Sequence, residues 1–330
     1  MLSIKFLLKV RKFIYACTWA FLYKLFAMSA VILGELAALG AAFCWAVSPI
    51  LYRQALFKSK PISANIVRLA TNAAVMVVLL VAFGWWGAME SLPLGVVAVV
   101  VVSGVFGLGL GDTFYLYGLK SVGVSVAVPL AATYPLFSLL WTTLLLRQPV
   151  TATIVAGALV IVLGIWLLSR GKNGTAALVK GKLALTGVAV SLAAAAAWSV
   201  SVTMMGVAIN MPGVNSFAAN YAVVTVRITA LAVMLMIAAP FIDRTRGFLK
   251  LSNRTIIELT VGGLVANGLG WLLMNYSFLN IPSAQAVPIS SITPLFSALA
   301  GFLLFREKAT LSRVLGAFVI VVGVILIFIV

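Results

Sequence analysis

Asp112 lies inside the expected span 94–118, about 10 Å from its end at 1.5 Å per residue, directly after the apolar run "VVAVVVVSGVFGLGLG" (96–111). The other five acids, Glu35, Glu90, Asp243, Glu258 and Glu307, fall at the ends of apolar runs or in turns. An ionisable group inside a membrane-length segment is costly to keep there and is a functional group by default. A carboxylate so placed can bind an ammonium group or exchange a proton. It can equally be a structural acid, paired to Arg68 or to a loop lysine. Arg68 and Arg227 are the matching cations inside apolar runs. They can hold a carboxylate or phosphate, but snorkelling to the interface or capping carbonyls is the expected role.

Four prolines supply a second kind of chemistry. Proline lacks an N–H and clashes with the carbonyl four residues earlier. Pro129 and Pro135 therefore free the carbonyls of Ser125 and Ala131, and Pro288 and Pro294 free those of Ala284 and Ser290. Freed carbonyls are tolerated in a membrane only where they face protein or a wet cavity, so these prolines are candidate helix breaks and gates. Polar residues cluster beside them: Thr133, Tyr134 and Ser138 in one stretch, Ser290, Ser291, Thr293 and Ser297 in the other. Trp45, Ser48, Tyr115, Tyr117, Trp198, Asn267, Asn275 and Tyr276 complete a candidate cavity lining, read as a set, since a single aromatic in a span is more often packing. The sequence has no histidine, and Cys17 and Cys44 lack metal-pair spacing. A histidine base, a haem ligand, a zinc site and a disulfide framework are thus not expected. The expectation is no cofactor, no metal and no enzymatic activity.

The elements that must position these groups are membrane helices. Hydrophobic residues make up 64% of the chain and charged ones 9%, with a mean hydropathy of +1.20, against about 25% charged in soluble domains. Barrel strands would alternate polar and apolar residues, whereas 96–111 is apolar all round. The expected fold is an all-α polytopic membrane protein with ten transmembrane helices, near 34–52, 63–84, 94–118, 122–146, 150–168, 183–209, 215–239, 255–279, 283–305 and 311–330. A bilayer-resident, multi-pass localisation follows.

The ten are five written twice. "AVPLAATYPLF" (127–137) returns as "AVPISSITPLF" (286–296). The same 159-residue offset carries Arg68 onto Arg227, Gly104 onto Gly263, Gly111 onto Gly270, Arg147 onto Arg306, Gly157 onto Gly316 and Gly164 onto Gly323. In the first helix of each half the register differs by six, with "AFCWAVS" (42–48) over "AAAWSVS" (195–201). Five is odd, so the second copy enters the membrane from the opposite side. Inverted repeats with breaks at matching places are a transporter signature. The glycine rows are close helix packing, not phosphate loops.

The stretches "GDTFYLYGLKSVGVSVAVPLAATYPLFSLLWTTLLLRQPVT" (111–151) and "NYSFLNIPSAQAVPISSITPLFSALAGFLLFREKAT" (275–310) resemble the two EamA modules of the drug/metabolite transporter superfamily. The resemblance covers 34–330. It implies a ten-helix carrier with a cavity lined mainly by the first, third and fourth helices of each half, often exporting amino acids or related metabolites. The acid usual in the turn after the fourth helix is Gln148 in the first half and Glu307 in the second. The usual Trp-Gly is Trp45-Ala46 and Trp198-Ser199.

Domain boundaries follow: a basic leader at 1–33, a first repeat at 34–170, a basic connecting loop at 171–182 and a second repeat at 183–330. The leader fits a surface helix, an extra span, or translation from a start codon placed upstream of Met28. The net charge of +17 is spread over short loops and reads as topology and headgroup contacts, not nucleic-acid binding. One face collects Arg53, Lys58, Lys60, Lys120, Arg170, Lys172, Lys180, Lys182, Arg244, Arg246, Lys250, Arg254, Arg306, Lys308 and Arg313. The positive-inside rule puts that face in the cytoplasm and the C-terminus outside, whereas the family resemblance implies cytoplasmic termini. The functional expectation is a secondary, alternating-access carrier for a small polar metabolite, with amino-acid-like export foremost. An anionic sugar or phosphate exchanger would require Arg68 and Arg227 to face the cavity. A non-transporting scaffold or lipid-contacting protein is the other class. The expected partners are a small-molecule substrate and the lipid bilayer, and a homodimer is neither required nor excluded.

Overall fold

A backbone in hydrocarbon has no water to bond, so the apolar segments close their own hydrogen bonds as helices. The computed structural model describes residues 29–48, 59–122, 130–170, 182–296 and 311–328, together with 51, 55, 127 and 299. Among them no strand occurs. In chain order the helices are α1 Ser29–Ser48, α2 Pro61–Ala82, the short α3 Trp86–Glu90, α4 Leu94–Gly104, α5 Asp112–Val122, α6 Tyr134–Leu146, α7 Ala152–Arg170, α8 Lys182–Ile209, α9 Phe217–Ile242, α10 Asn253–Gly263, α11 Trp271–Asn280, α12 Ser283–Ser290 and α13 Leu311–Phe328. Pro129, Glu307, the leader through Met28 and most of the connecting loop lie outside the described residues.

Six of the described stretches are long and apolar enough to cross a membrane: Ser29–Ser48, Ile62–Ala82, Leu94–Tyr115, Leu185–Ile209, Phe217–Ile242 and Asn253–Asn280. Ala152–Leu167 and Val314–Ile327 are shorter apolar helices. The fourth segment of each half is not one helix. Residues 132–133 form a turn before α6, and 291–292 form a turn after α12. Pro135 lies in the first turn of α6, where its missing N–H costs nothing. It starts that helix; it does not kink its interior.

The sequence offset reappears in the elements. α4 and α10 each run into a π-helical segment, Val105–Gly111 and Leu264–Gly270, and each π segment runs into α5 or α11. Every one of these boundaries on the first copy falls 159 residues before its partner, as 105 does before 264. Packing is reciprocal as well. The Ser48 hydroxyl at the end of α1 donates to the Gly262 carbonyl, and Ser201 on α8 donates to the Ser103 carbonyl. The final helices α7 and α13 cross where a side chain at Gly157 would meet the Gly323 carbonyl and Ile327, and one at Gly323 would meet the Gly157 carbonyl and Ile161. The main core, with Leu69, Met76, Val100, Met205, Ile228 and Met274, lies between α2, α4, α8, α9 and α11.

Candidate functional site

A π turn holds one residue more than an α turn and leaves carbonyls for other donors. In the first π segment the Leu108 carbonyl accepts from Asn65 Nδ2 at 3.5 Å and the Gly109 carbonyl from Thr113 Oγ1 at 2.6 Å. In the second, the Ala266 carbonyl accepts from Trp45 Nε1 at 3.1 Å. Trp45 is therefore held as a donor to the backbone and packs on Trp271, with ring centroids 5.6 Å apart.

The residue after the first π segment is Asp112. Its Oδ2 accepts from Arg68 Nη2 at 3.0 Å, and its Oδ1 from Trp198 Nε1 at 3.1 Å. The same Arg68 nitrogen donates to Asn65 Oδ1 at 2.7 Å. Gly111 permits the approach, because a methyl there would overlap the Trp198 indole. Charge-assisted bonds of this kind are the stronger class. The aromatic side of the cluster continues from Trp198 to Tyr115, at 5.1 Å between centroids, and to Tyr134 at 6.4 Å edge-on. The Tyr134 hydroxyl lies 3.3 Å from Ser290 Oγ. Asp112, Tyr115, Tyr134, Trp198 and Ser290 thus form one constellation with Arg68.

Arg227 corrects the sequence expectation. It does not snorkel: it is 1% exposed. Its stem crosses Gly104, its Nη2 donates to Ser201 Oγ at 2.7 Å, and its guanidinium carbon lies 3.8 Å from the centre of a Trp271 ring. Long side chains snorkel only when an interface is in reach, and α9 continues to residue 242 on one side and begins at 217 on the other.

The remaining candidates are placed as follows. Thr133 Oγ1 donates to the Leu130 carbonyl, Ser290 Oγ to Val287, Ser291 Oγ to Pro288 and Thr293 Oγ1 to Ser290. These hydroxyls bond back to the backbone around the turns. Ser48 is buried against α10. Asn275 is buried and donates to Asn220 Oδ1 at 2.8 Å, and Asn267 is buried in the second π segment. Pro288 is buried inside α12, and Pro294 is half-buried just beyond the turn. Tyr117, 63% exposed, lies across α5 from Tyr115, and Tyr276 on α11 is 40% exposed. Neither joins the constellation. Asn65, Ser201, Trp271 and Asn220 escaped the sequence reading. Trp271 had a signal: it stands at the repeat position of Asp112.

At one end of α9, Gln148, Gly206, Asn210, Met211, Phe278, Asn280 and Pro282 line a cleft of about 560 Å³. At its other end, about 39 Å away for 26 residues, Asp243 accepts from Ser63 Oγ at 2.7 Å, Thr245 Oγ1 at 2.9 Å and the Phe248 N–H at 3.1 Å. Lys60 Nζ donates to Thr245 Oγ1 at 3.1 Å. Burial alone would raise the Asp243 pKa, but these hydrogen bonds and the Lys60 charge outweigh it and hold the pKa below the usual carboxylate range.

The family model of the EamA-like transporter family matches residues 32–170 and 185–329. The chain belongs to the EamA-like transporter family. It is 24% identical over 295 residues to an "Uncharacterized transporter" of Archaeoglobus fulgidus, a match covering 88% of this chain and 96% of that protein. Its fold resembles a solved structure described as "Crystal structure of protein", with a TM-score of 0.72, 17% identity, and coverage of 89% of this chain and 95% of that one. This EamA-like chain is thus an integral, multi-pass membrane transporter. The Asp112 constellation joins its two family matches, with Arg68, Asp112, Tyr115 and Tyr134 from the first and Trp198 and Ser290 from the second.

Proposed function

We propose that the chain is a secondary carrier of ten helices, built as two inverted five-helix repeats at 34–170 and 183–330, that moves a small polar metabolite by alternating access. Amino-acid-like export is the favoured activity. The observation that carries this reading is that Asp112 is bonded across the repeats, to Arg68 of its own half and Trp198 of the other. Rocking of one half against the other makes and breaks the Trp198 bond, so the carboxylate changes its environment during the cycle. That suits Asp112 to proton coupling. The cleft beside Asn210 and Asn280 and the hydrogen-bonded Asp243 at the other end of α9 fit a conformer open towards the sparsely charged face.

The test is counterflow in proteoliposomes, with pooled amino acids, sugars and phosphorylated metabolites, with and without a pH gradient. Saturable amino-acid counterflow is expected. Its absence for every compound would sink the metabolite-carrier reading and favour a scaffold or lipid-contacting role. Arg227, buried and in no salt bridge among the described residues, favours one other reading, an anionic substrate. Arg68, bonded to Asp112, is not free for a polyanion.

A further inference from the structure

Two guanidiniums and one carboxylate meet at the level of the π segments. The repeat offset makes Arg68 and Arg227 equivalent, and each lays its stem across the glycine opening the other repeat's π segment, Gly263 and Gly104. Their counterparts differ, because the residue following the π segment is Asp112 for Arg68 and Trp271 for Arg227. Arg68 has its carboxylate. Arg227 has a ring face and one hydroxyl, and its Nε and Nη1 have no hydrogen-bond partner among the described residues. A cation–π contact satisfies charge from above the guanidinium plane but not the donors within it. A charge this deep is normally paired or hydrogen-bonded throughout.

We infer that Arg227 is the anchoring point for the carboxylate group of the transported solute. This deepens the carrier reading and rests on it. Several features define the site chemically. Donor capacity is free on both edges of the guanidinium fork, and a planar fork matches a planar carboxylate. The uncompensated charge at this layer is a single one, so a monocarboxylate neutralises it while a phosphate dianion overshoots. The Trp271 ring holds the guanidinium flat, so little side-chain freedom remains to be lost on binding. Ser201 steadies Nη2 and in turn bonds the Ser103 carbonyl of the other repeat. Separation of α8 from α4 therefore opens the arginine to a solute, and closure seals it as seen here.

The test uses the purified full chain in nanodiscs, following saturable quenching of tryptophan fluorescence on titration with sodium acetate, glycine, methylammonium sulfate, sodium sulfate and sodium chloride. Acetate and glycine are expected to quench and to raise the melting temperature, and methylammonium and sulfate to do neither. Arg227→Gln should abolish the acetate response. Arg227→Lys, which keeps the charge and guards against misfolding, should weaken it about tenfold or more by losing the fork. Acetate quenching unchanged in Arg227→Lys or Arg227→Gln, or chloride equal to acetate, would overturn the assignment. The two readings fail separately. Intact acetate binding without any counterflow rejects the carrier and keeps the site, whereas normal amino-acid counterflow in Arg227→Gln rejects the site and keeps the carrier.

Discussion

Arg68 and Asp112 illustrate why a half-buried pair is better judged by breaking it than by counting it. Taking both charges out of water roughly cancels their attraction, but removing one partner strands the other. Arg68→Ala should therefore destabilise the fold, by less than the roughly 3–5 kcal/mol of a fully buried pair, seen as a drop in melting temperature in detergent. Arg68→Ala combined with Asp112→Asn should recover much of that loss, and a double variant as unstable as the single would show that Arg68 acts through packing alone. In transport, Asp112→Asn should retain counterflow while losing the response to an imposed pH gradient; a retained response would take the coupling role from this acid. The pairing was among the roles the sequence offered for Asp112, since the only cations in apolar runs are arginines. The fate of Arg227 was not legible from its own neighbourhood, because "NIVRL" and "TVRIT" look alike. What separates the two arginines lies 44 residues downstream, where one repeat carries Asp112 and the other Trp271.

Helix breaks were legible where prolines marked them and illegible where no residue type did. Prolines announce a lost N–H, so the interruptions near 132–133 and 291–292 followed from the spelling of the chain. A π segment changes no residue type. In a stretch apolar all round, one extra residue per turn leaves the hydrophobic pattern as it was, and 94–118 read as one regular helix. The hydroxyls near the breaks were seen, but their direction was not. Once a turn exposes carbonyls, the nearest Ser or Thr bonds back three residues, and Thr133, Ser291 and Thr293 do so. The last helices provide a contrast between holding the fold and holding the site. Gly157→Leu forces a branched side chain against the Gly323 carbonyl and Ile327, and overpacking of this kind costs about 1–3 kcal/mol. The expected outcome is a lower melting temperature with the KM for counterflow unchanged, because no member of the Asp112 constellation comes from α7 or α13. A shift in KM with unchanged stability would mean that the α7–α13 crossing shapes the site.

The two ends of α9 differ in a way that the duplicated repeats alone do not require. At its start lies the cleft around Asn210 and Asn280, and at its end the loop after Ile242 is tied back to α2 through Asp243, Ser63 and Lys60. With its folded pKa held below the ordinary value of 3.8, Asp243 contributes stability that is fully present above that value and is lost as pH falls through the folded pKa. The melting temperature should accordingly fall below about pH 4, and Asp243→Asn, already lacking the charge, should show a shallower fall over the same window. Equal slopes would remove Asp243 from the account of acid stability. The same tie bears on which way the molecule faces. Arg244, Arg246 and Lys250 sit on its loop and Arg254 in the first turn of α10, and from the positive-inside rule we propose that this face is cytoplasmic. The cleft then opens to the outside. A variant with serine at both cysteines and a single new cysteine at Asn210 should react with a membrane-impermeant maleimide on intact cells, and one at Thr245 only after permeabilisation. The reverse pattern would mean that the topology is set by something other than loop charge, and that this conformer opens inward, ready to load a solute for export.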